Sequence, residues 1–332
     1  MEFLRLKDVD VGANIGKQLN ISFLVIETSV RPQKDNGKFM SIIMADKNAK
    51  QEAKIFSIDE KLEREVVSGK AYDATISVKK YRDGYSCIIE GIKESKIPKE
   101  EFMHWANDIE NYKEQLITLI DSIENDIYQD IVVGLINPHF EKFCTWPAGR
   151  SQHHSELGGL LVHTTSLTRV ATSIASFYNK VYDANIFNID LLTAACLLHD
   201  LGKLVEYEID DTIGRAKFSA DAALSSHIME SLRFVDSIAT SMEIEDLEEV
   251  RLLKHCIAAH HGKLEWGSPI TPATPEASLL HRIDMIDAEV YVYDREFCEL
   301  KPGESKTVWS NGGSFNCFYK DTSKIKEIKV NI

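Results

Sequence analysis

The period of the hydrophobic positions changes along this chain of 332 residues, and that change divides it. Up to about residue 95, β-branched and aromatic residues gather in short runs bounded by turn residues, which is the pattern of strands. Asn20–Val30, Phe39–Met44 and Glu52–Phe56 read as three strands, separated by a turn cluster from Arg31 to Gly37 and by polar residues from Asp46 to Lys50. Ile58–Val67 reads as a short helix closed by Ser68 and Gly69. Two further strands, Ala71–Tyr81 and Tyr85–Ile92, meet at Arg82-Asp83-Gly84, whose Asp-Gly pair signals a hairpin.

Beyond residue 96 the period becomes helical. Pro98 enters a helix on which Trp105, Ile109, Tyr112, Leu116, Leu119, Ile120 and Ile123 recur at spacings of three and four, and Ile127–Ile136 forms a second helix stopped at Asn137-Pro138. Leu160–Tyr178, Ile189–His199, Ala222–Ala239, Leu247–His261 and Glu276–Val292 are the later helical runs, and the chain after about residue 300 turns β-like or irregular. Three strands, a helix and two strands is the order of an OB-fold, a small barrel that commonly binds single-stranded nucleic acid. The expected architecture is therefore multidomain α+β. It has an OB-fold β-barrel over 1–95, a helical linker or subdomain over 96–150, an all-α helical bundle over 151–300 and a closing segment over 301–332.

Composition narrows the class. Hydrophobic residues are 44% and charged residues 27%, as in ordinary globular domains, so the chain can bury sizeable cores. A net charge of −14 argues against broad adhesion to nucleic acid, while leaving room for a local basic groove or for metal ions that supply positive charge. The six cysteines are scattered without a CxxC pair and read as reduced thiols. No run approaches the roughly 18 apolar residues that span a membrane, and the N-terminal residues lack a secretory apolar segment. A cytoplasmic protein with no membrane partner is expected.

The chemistry lies between His163 and Asp284. His163, the pair His199-Asp200, His227, the pair His260-His261 and Asp284 each sit in an apolar, helical run, in a chain with eleven histidines. Alone, each is an ordinary helix residue. Together, imidazoles and carboxylates suit a divalent ion such as Mn, Fe, Co, Ni or Zn, and a carboxylate can bridge two ions. Adjacent His199 and Asp200 would diverge by about 100° on a continuing helix, but at a helix end that Gly202 helps to terminate both can face one site. His227 is expected mid-helix. Of the paired histidines, His260 is the first choice as ligand, with His255 and His261 as further ligands or supports. Asp284 and Asp287, three apart, share a helix face, with Asp284 as ligand and Asp287 as its supporting partner.

His163, His199-Asp200 and Asp284, in this order and context, resemble the signature of the HD phosphohydrolase superfamily, and His227 and His260 match the added ligands of its two-metal members. The stretches PAGRSQHHSELGGLLVHT (Pro147–Thr164), LLHDLGKLVEYE (Leu197–Glu208) and AAHHGKLEWGSPITPATPEASLLHRIDMIDA (Ala258–Ala288) resemble the YhaM family, bacterial 3′–5′ exoribonucleases with an N-terminal OB-fold and a C-terminal HD domain. The chain departs from that pattern at Val162, where the family has Glu, and at Ser226, where it has Gly.

The resemblance implies two divalent ions, manganese or cobalt with iron, nickel, zinc or magnesium as further candidates. Asp200 would be shared, with His163, His199 and Asp284 on one ion and His227 and His260 on the other. It implies release of nucleoside 5′-monophosphates from the 3′ end of single-stranded RNA or DNA, by a homo-oligomer. Asp200 and Lys203 are the candidate catalytic residues. Lys203, Arg150, His153, His154 and Trp266 are candidates for phosphate or substrate contact at the entrance. On the barrel the candidate strand contacts are Arg31, Lys38, Phe39, Lys54, Phe56, Lys79, Lys80, Tyr81, Arg82 and Tyr85, although Phe39 and Phe56, lying in strands, suit the barrel core better. The competing functions are an HD phosphohydrolase of nucleotides, cyclic nucleotides or short oligonucleotides, and a nucleic-acid-binding factor with a vestigial metal site.

Overall fold

A computed structural model describes residues 3–33, 37–47, 49–150, 153–210, 214–301, 303–310 and 313–318. The chain divides into two compact units. One comprises 1–105 with 209–215, and the other comprises 106–208 with the chain from 216 onward.

The first unit is the expected barrel. Its strands are β1 (Leu4–Arg5), β2 (Gln18–Pro32), β3 (Lys38–Asp46), β4 (Ala49–Phe56), β5 (Ala71–Tyr81) and β6 (Gly84–Glu94), with helix α1 (Glu60–Glu65) between β4 and β5. The long β2 pairs antiparallel with β5 through Gln18–Leu24 and with β3 through Leu24–Pro32. A bulge between Val25 and Glu27 bends it so that one strand serves both neighbours. β4 then meets β6 in parallel, closing the ring β2-β3-β4-β6-β5. Alternation places Ile21, Phe23, Met40, Ile42, Met44, Ile55, Ile76 and Ile89 inside. α1 is capped by Asp59 and held by the buried Tyr72, whose hydroxyl donates to Glu65 O at 2.8 Å.

The second unit carries α2 (Ile109–Asp121), α3 (Asp126–Ile136), α4 (Phe140–Thr145), α5 (Gly159–Tyr182), α6 (Ile189–Leu198), α7 (Lys203–Glu206), α8 (His227–Ser241), α9 (Glu248–Ala259), α10 (Pro275–Glu299), and the antiparallel pair β9 (Ser305–Ser310) and β10 (Gly313–Phe318). The paired strands β7 (Tyr207–Asp210) and β8 (Arg215–Phe218) straddle the division, with 209–215 counted in the first unit. α6 is apolar on every face, and residues 191–198 are all buried. A helix of that kind must lie inside its neighbours, and it packs against α3, α5, α9 and α10. The helices that carry or end at the candidate ligands, α5, α6, α8, α9 and α10, share this one core.

Two expectations are corrected. The run from Ala222 is not one helix: Asp221–Ala223 is a separate 3-10 turn, and α8 begins at His227. The reason is Ser226, whose side chain caps the helix by accepting from Met229 N, so His227 is a helix-start residue rather than a mid-helix one. Strands β7 and β8 were not anticipated within the helical half; the alternation that makes them is only four residues long on each side.

Candidate metal centre

Each candidate ligand is held by a local feature of the chain. His163 lies near the start of α5, and Asp284 and Asp287 lie on α10. His199 is the C-cap of α6 and His260 the C-cap of α9, so each imidazole sits where a helix ends, with Asp200 and His261 one residue beyond. The turn carrying His199 and Asp200 is pinned by Ser231 of α8. Its hydroxyl accepts from Gly202 N at 2.8 Å and donates to His199 O at 2.9 Å. Gly202 does not act as a left-handed terminator, for its φ is −61°. It is required by close approach: a Cβ there would lie 2.0 Å from His227 O. That contact sets the first turn of α8 against the His-Asp turn.

The ligand atoms converge on Asp200. Its Oδ2 lies 3.4 Å from His163 Nε2 and 3.3 Å from His199 Nε2, and its Oδ1 lies 3.6 Å from His227 Nε2 and 3.9 Å from His260 Nε2. Asp284 Oδ1 is 3.3 Å from His163 Nε2. His163, His199 and Asp284 form one group of donor atoms able to hold an ion, and His227, His260 and His261 form another. The carboxylate of Asp200 lies between them, one oxygen toward each.

The opposite ring nitrogens show which nitrogen of each ring is free to act as a metal donor. Nδ1 of His199 donates to Cys196 O at 2.8 Å, that of His260 to Ile257 O at 2.7 Å and that of His261 to Trp266 O at 3.0 Å. Carbonyl oxygens only accept, so these rings carry their proton on Nδ1 and present a lone pair at Nε2. His163 Nδ1 faces Asp287 Oδ2 at 2.7 Å and His227 Nδ1 faces Glu206 at 3.2 Å, which gives the same polarity. Nε2 of His163 and His199 then approach to 3.4 Å, and Nε2 of His227 and His261 to 3.2 Å. Lone pairs converging at that range on a carboxylate fit divalent cations of the imidazole-and-carboxylate class.

The electrostatics have the same sense. Burial opposes the charge on Asp200, yet Lys203 and His199 outweigh it and hold the carboxyl well below the usual range. Burial likewise opposes ionisation of Asp284 and Asp287, but hydrogen bonds and charge from His163, and from His154 at Asp287, keep both depressed. The three carboxylates around His163 raise its pKa well above the ordinary imidazole value against the effect of burial. Burial and the neighbouring histidines His199 and His261 push His260 the other way.

The cleft above these groups has a volume of about 470 Å³ and is walled by Arg150, His153, Lys203, Tyr207, Trp266 and Met285. Of the expected entrance residues, Arg150, His153, Lys203 and Trp266 are thus at the cleft. Lys203 is bound to Asp200 Oδ2 at 2.5 Å, so its ammonium neutralises the shared carboxylate as well as facing the cavity. Burial and the Lys203 charge push His153 down to about 3, which leaves it a neutral ring. His154 is a correction. It is buried, its Nε2 donates to Asp287 Oδ2 at 2.9 Å, and its ring lies 4.4 Å from that of Tyr291, whose hydroxyl donates to Glu156 at 2.6 Å. The left-handed backbone at His154, φ 47°, separates its ring from that of His153, so it supports Asp287 from behind and does not meet the entrance. His255 is also engaged elsewhere, its Nε2 accepting from Ala273 N at 2.9 Å. Glu206, Ser231, Tyr207, Glu156 and Tyr291 were not found from sequence, because each acts through a partner that only the fold brings near.

On the barrel, Arg31 pairs with Phe39 and Phe39 with Phe56, with Ser41 and Lys54 one step along on the same face. Phe39 and Phe56 are outside the barrel core; their rings are 5.8 Å apart and Phe56 is 40% exposed. Lys38 is exposed on β3 and bonded to Glu63 at 3.3 Å. Lys79 and Tyr81 end β5, and the Arg82 guanidinium lies 5.3 Å from the ring of Tyr81, itself 56% exposed.

The HD domain family matches residues 160–289, the span that carries all the candidate ligands. Fold and site together define an HD-domain, metal-dependent hydrolase of the nuclease and phosphohydrolase kind. A 3′–5′ exoribonuclease YhaM of Listeria monocytogenes serotype 4b is 33% identical over 306 residues, 90% of this chain and 93% of that protein. One of Listeria innocua serovar 6a is 32% identical over the same shares. The chain belongs to the YhaM family. Among solved structures, the second OB-fold domain of replication protein A from Methanococcus maripaludis aligns with 25% of this chain and 89% of its own, at 17% identity and a TM-score of 0.21. At that score the barrel assignment rests on the strand order and closure described above. No helix among the described residues is long and apolar enough to cross a membrane.

Proposed function

We infer that the enzyme is a 3′–5′ exonuclease of single-stranded RNA, acting also on single-stranded DNA, through two divalent ions that share Asp200. The observation that carries this reading is the split of that carboxylate, Oδ2 toward His163 and His199 and Oδ1 toward His227 and His260. When bound, paired ions, manganese or cobalt by family resemblance, lower the pKa of water and neutralise charge on the phosphoryl oxygens. The chain's residues do the rest. Lys203 holds Asp200 and offers its ammonium to the incoming phosphate. His153, neutral and lining the cleft, offers a polar ring without adding charge. Arg150 has no acidic partner among the described residues, which suits an anionic ligand. Similarity to named exoribonucleases along 90% of the chain supports a strand over a small nucleotide as substrate. The outward-facing row Arg31, Phe39 and Phe56, with Lys54, supports strand contact on the barrel. The domain reading that goes with this is a nucleic-acid-binding barrel over 1–95, a helical segment over 96–150, a catalytic HD domain over 151–300 and a closing segment over 301–332. We place it in the cytoplasm as a homo-oligomer.

The test is a time course on 3′-labelled and 5′-labelled single strands with Mn²⁺, wild type beside Asp200→Ala, with elemental analysis of bound metal. Stepwise shortening from the 3′ end with release of 5′-monophosphates, two ions per chain, and loss of both in the variant are expected. Intact strands with metal bound would overturn the exonuclease reading in favour of small nucleotides. One ion per chain would overturn the shared-carboxylate reading.

A further inference from the structure

The hairpin β7–β8 carries two aromatic rings that the hydrophobic core does not use. Tyr207 and Phe218 lie 5.7 Å apart and belong to none of the buried clusters among the described residues, and Phe218 is 51% exposed. A two-stranded hairpin gains little by displaying a large apolar ring to water. Phe218 has a second neighbour: the guanidinium of Arg150 lies 4.3 Å from its ring centroid. Arg150 and Tyr207 both line the cleft above Asp200, and among the described residues no carboxylate pairs with Arg150. In a chain with 52 acidic residues, an arginine with no carboxylate partner among the described residues, lying over an aromatic ring beside the candidate metal centre, is suited to an anionic or aromatic ligand.

We propose that Tyr207, Phe218 and Arg150 form a nucleobase-binding subsite for one of the last two nucleotides at the 3′ end of the substrate strand. This rests on the exonuclease reading above. A guanidinium plane backed by an aromatic ring stacks on any base, since every base has a π-face, and its edge N–H groups remain available to phosphate oxygens. Trp266, with Lys263 Nζ 4.1 Å from its ring, stands elsewhere on the wall of the same cleft. Stacking does not read base edges, so the subsite holds a strand end without selecting its sequence.

The experiment is a cycle between protein and substrate. Wild type, Phe218→Ala and Phe218→Trp are assayed on a single-stranded oligonucleotide and on versions lacking the base at the last or the penultimate position. Loss of one stacked base corresponds to roughly a 5- to 150-fold rise in KM. Phe218→Ala and removal of one of the two bases should each produce a rise of that order and should not multiply when combined. Phe218→Trp should retain the wild-type KM. Multiplying effects, or a wild-type KM in Phe218→Ala, would overturn the subsite. A wild type that shortens no strand would instead overturn the nuclease reading beneath it.

Discussion

Asp287 Oδ2 lies 2.7 Å from Nδ1 of His163, and Nε2 of the same ring faces Asp200 and Asp284. The carboxylate therefore fixes which nitrogen of His163 is presented to a metal, and its negative charge raises the basicity of that nitrogen. Replacing Asp287 by Asn keeps the shape and removes the charge. Asp287→Asn should bind Mn²⁺ or Co²⁺ about 10- to 100-fold more weakly, as read by calorimetry or chelator competition. Wild-type affinity in that variant would remove Asp287 from the metal centre.

Metal loading should release a proton from His163. In the metal-free protein, burial disfavours the charged ring, but Asp200, Asp284 and Asp287 raise its pKa well above the ordinary value. A raised folded pKa means that this group's stabilisation is full below the unfolded value of about 6.5 and is lost as pH rises through the folded one. The metal-free protein should therefore lose melting temperature as pH is raised above 7, a trend that bound metal, which needs the neutral ring, should reverse. Calorimetric titration with Mn²⁺ in buffers of different ionisation enthalpy should register release of about one proton near pH 7. Heats independent of buffer would contradict a protonated His163.

The candidate ligand set was legible because imidazole and carboxylate are the donors that divalent ions of this class favour, and His163, His199, Asp200 and Asp284 stand in helical runs in an order that does not depend on packing. The barrel was legible because its turns are short and its strands alternate. Direction was not legible. His153 and His154 are adjacent in sequence, and only the left-handed backbone at His154 sends one ring to the cleft and the other to Asp287. The role of Gly202 depends on the carbonyl of His227, and alternation alone could not say whether Phe39 and Phe56 point into the barrel or out of it. Each such miss is a relation between distant segments, invisible to local period.

The turn that carries His199 and Asp200 should be sensitive to very small changes. Ser231 is buried and makes two hydrogen bonds to that turn, to Gly202 N and His199 O. Ser231→Ala leaves Gly202 N unpaired in the interior, which costs about 1–3 kcal/mol. Gly202→Ala puts a methyl group against the His227 carbonyl, a backbone clash that forces α8 away at a cost of about 1–3 kcal/mol or more. Both variants should melt earlier, and Gly202→Ala should also lose metal affinity because His199, Asp200 and His227 lie on the two segments forced apart. Unchanged affinity in a folded Gly202→Ala protein would show that the two segments need not touch.

The outer face of the barrel gives the last prediction. Phe56 and Phe39 lie one cross-strand step apart, Arg31 pairs with Phe39, and Lys54 is on the same face. A half-exposed aromatic pair flanked by cations fits stacked bases and their phosphates. Phe56→Ala should weaken binding of a single-stranded oligonucleotide by roughly 5- to 150-fold, the value of about one stacked base. Lys54→Ala should weaken it less and flatten its dependence on salt by about one phosphate contact, since the slope of affinity against salt counts the neutralised phosphates. Fluorescence anisotropy over a range of KCl separates the two terms. Neither ring belongs to the barrel core, so Phe56→Ala should melt close to wild type. Full affinity in that folded variant would move strand contact off this face.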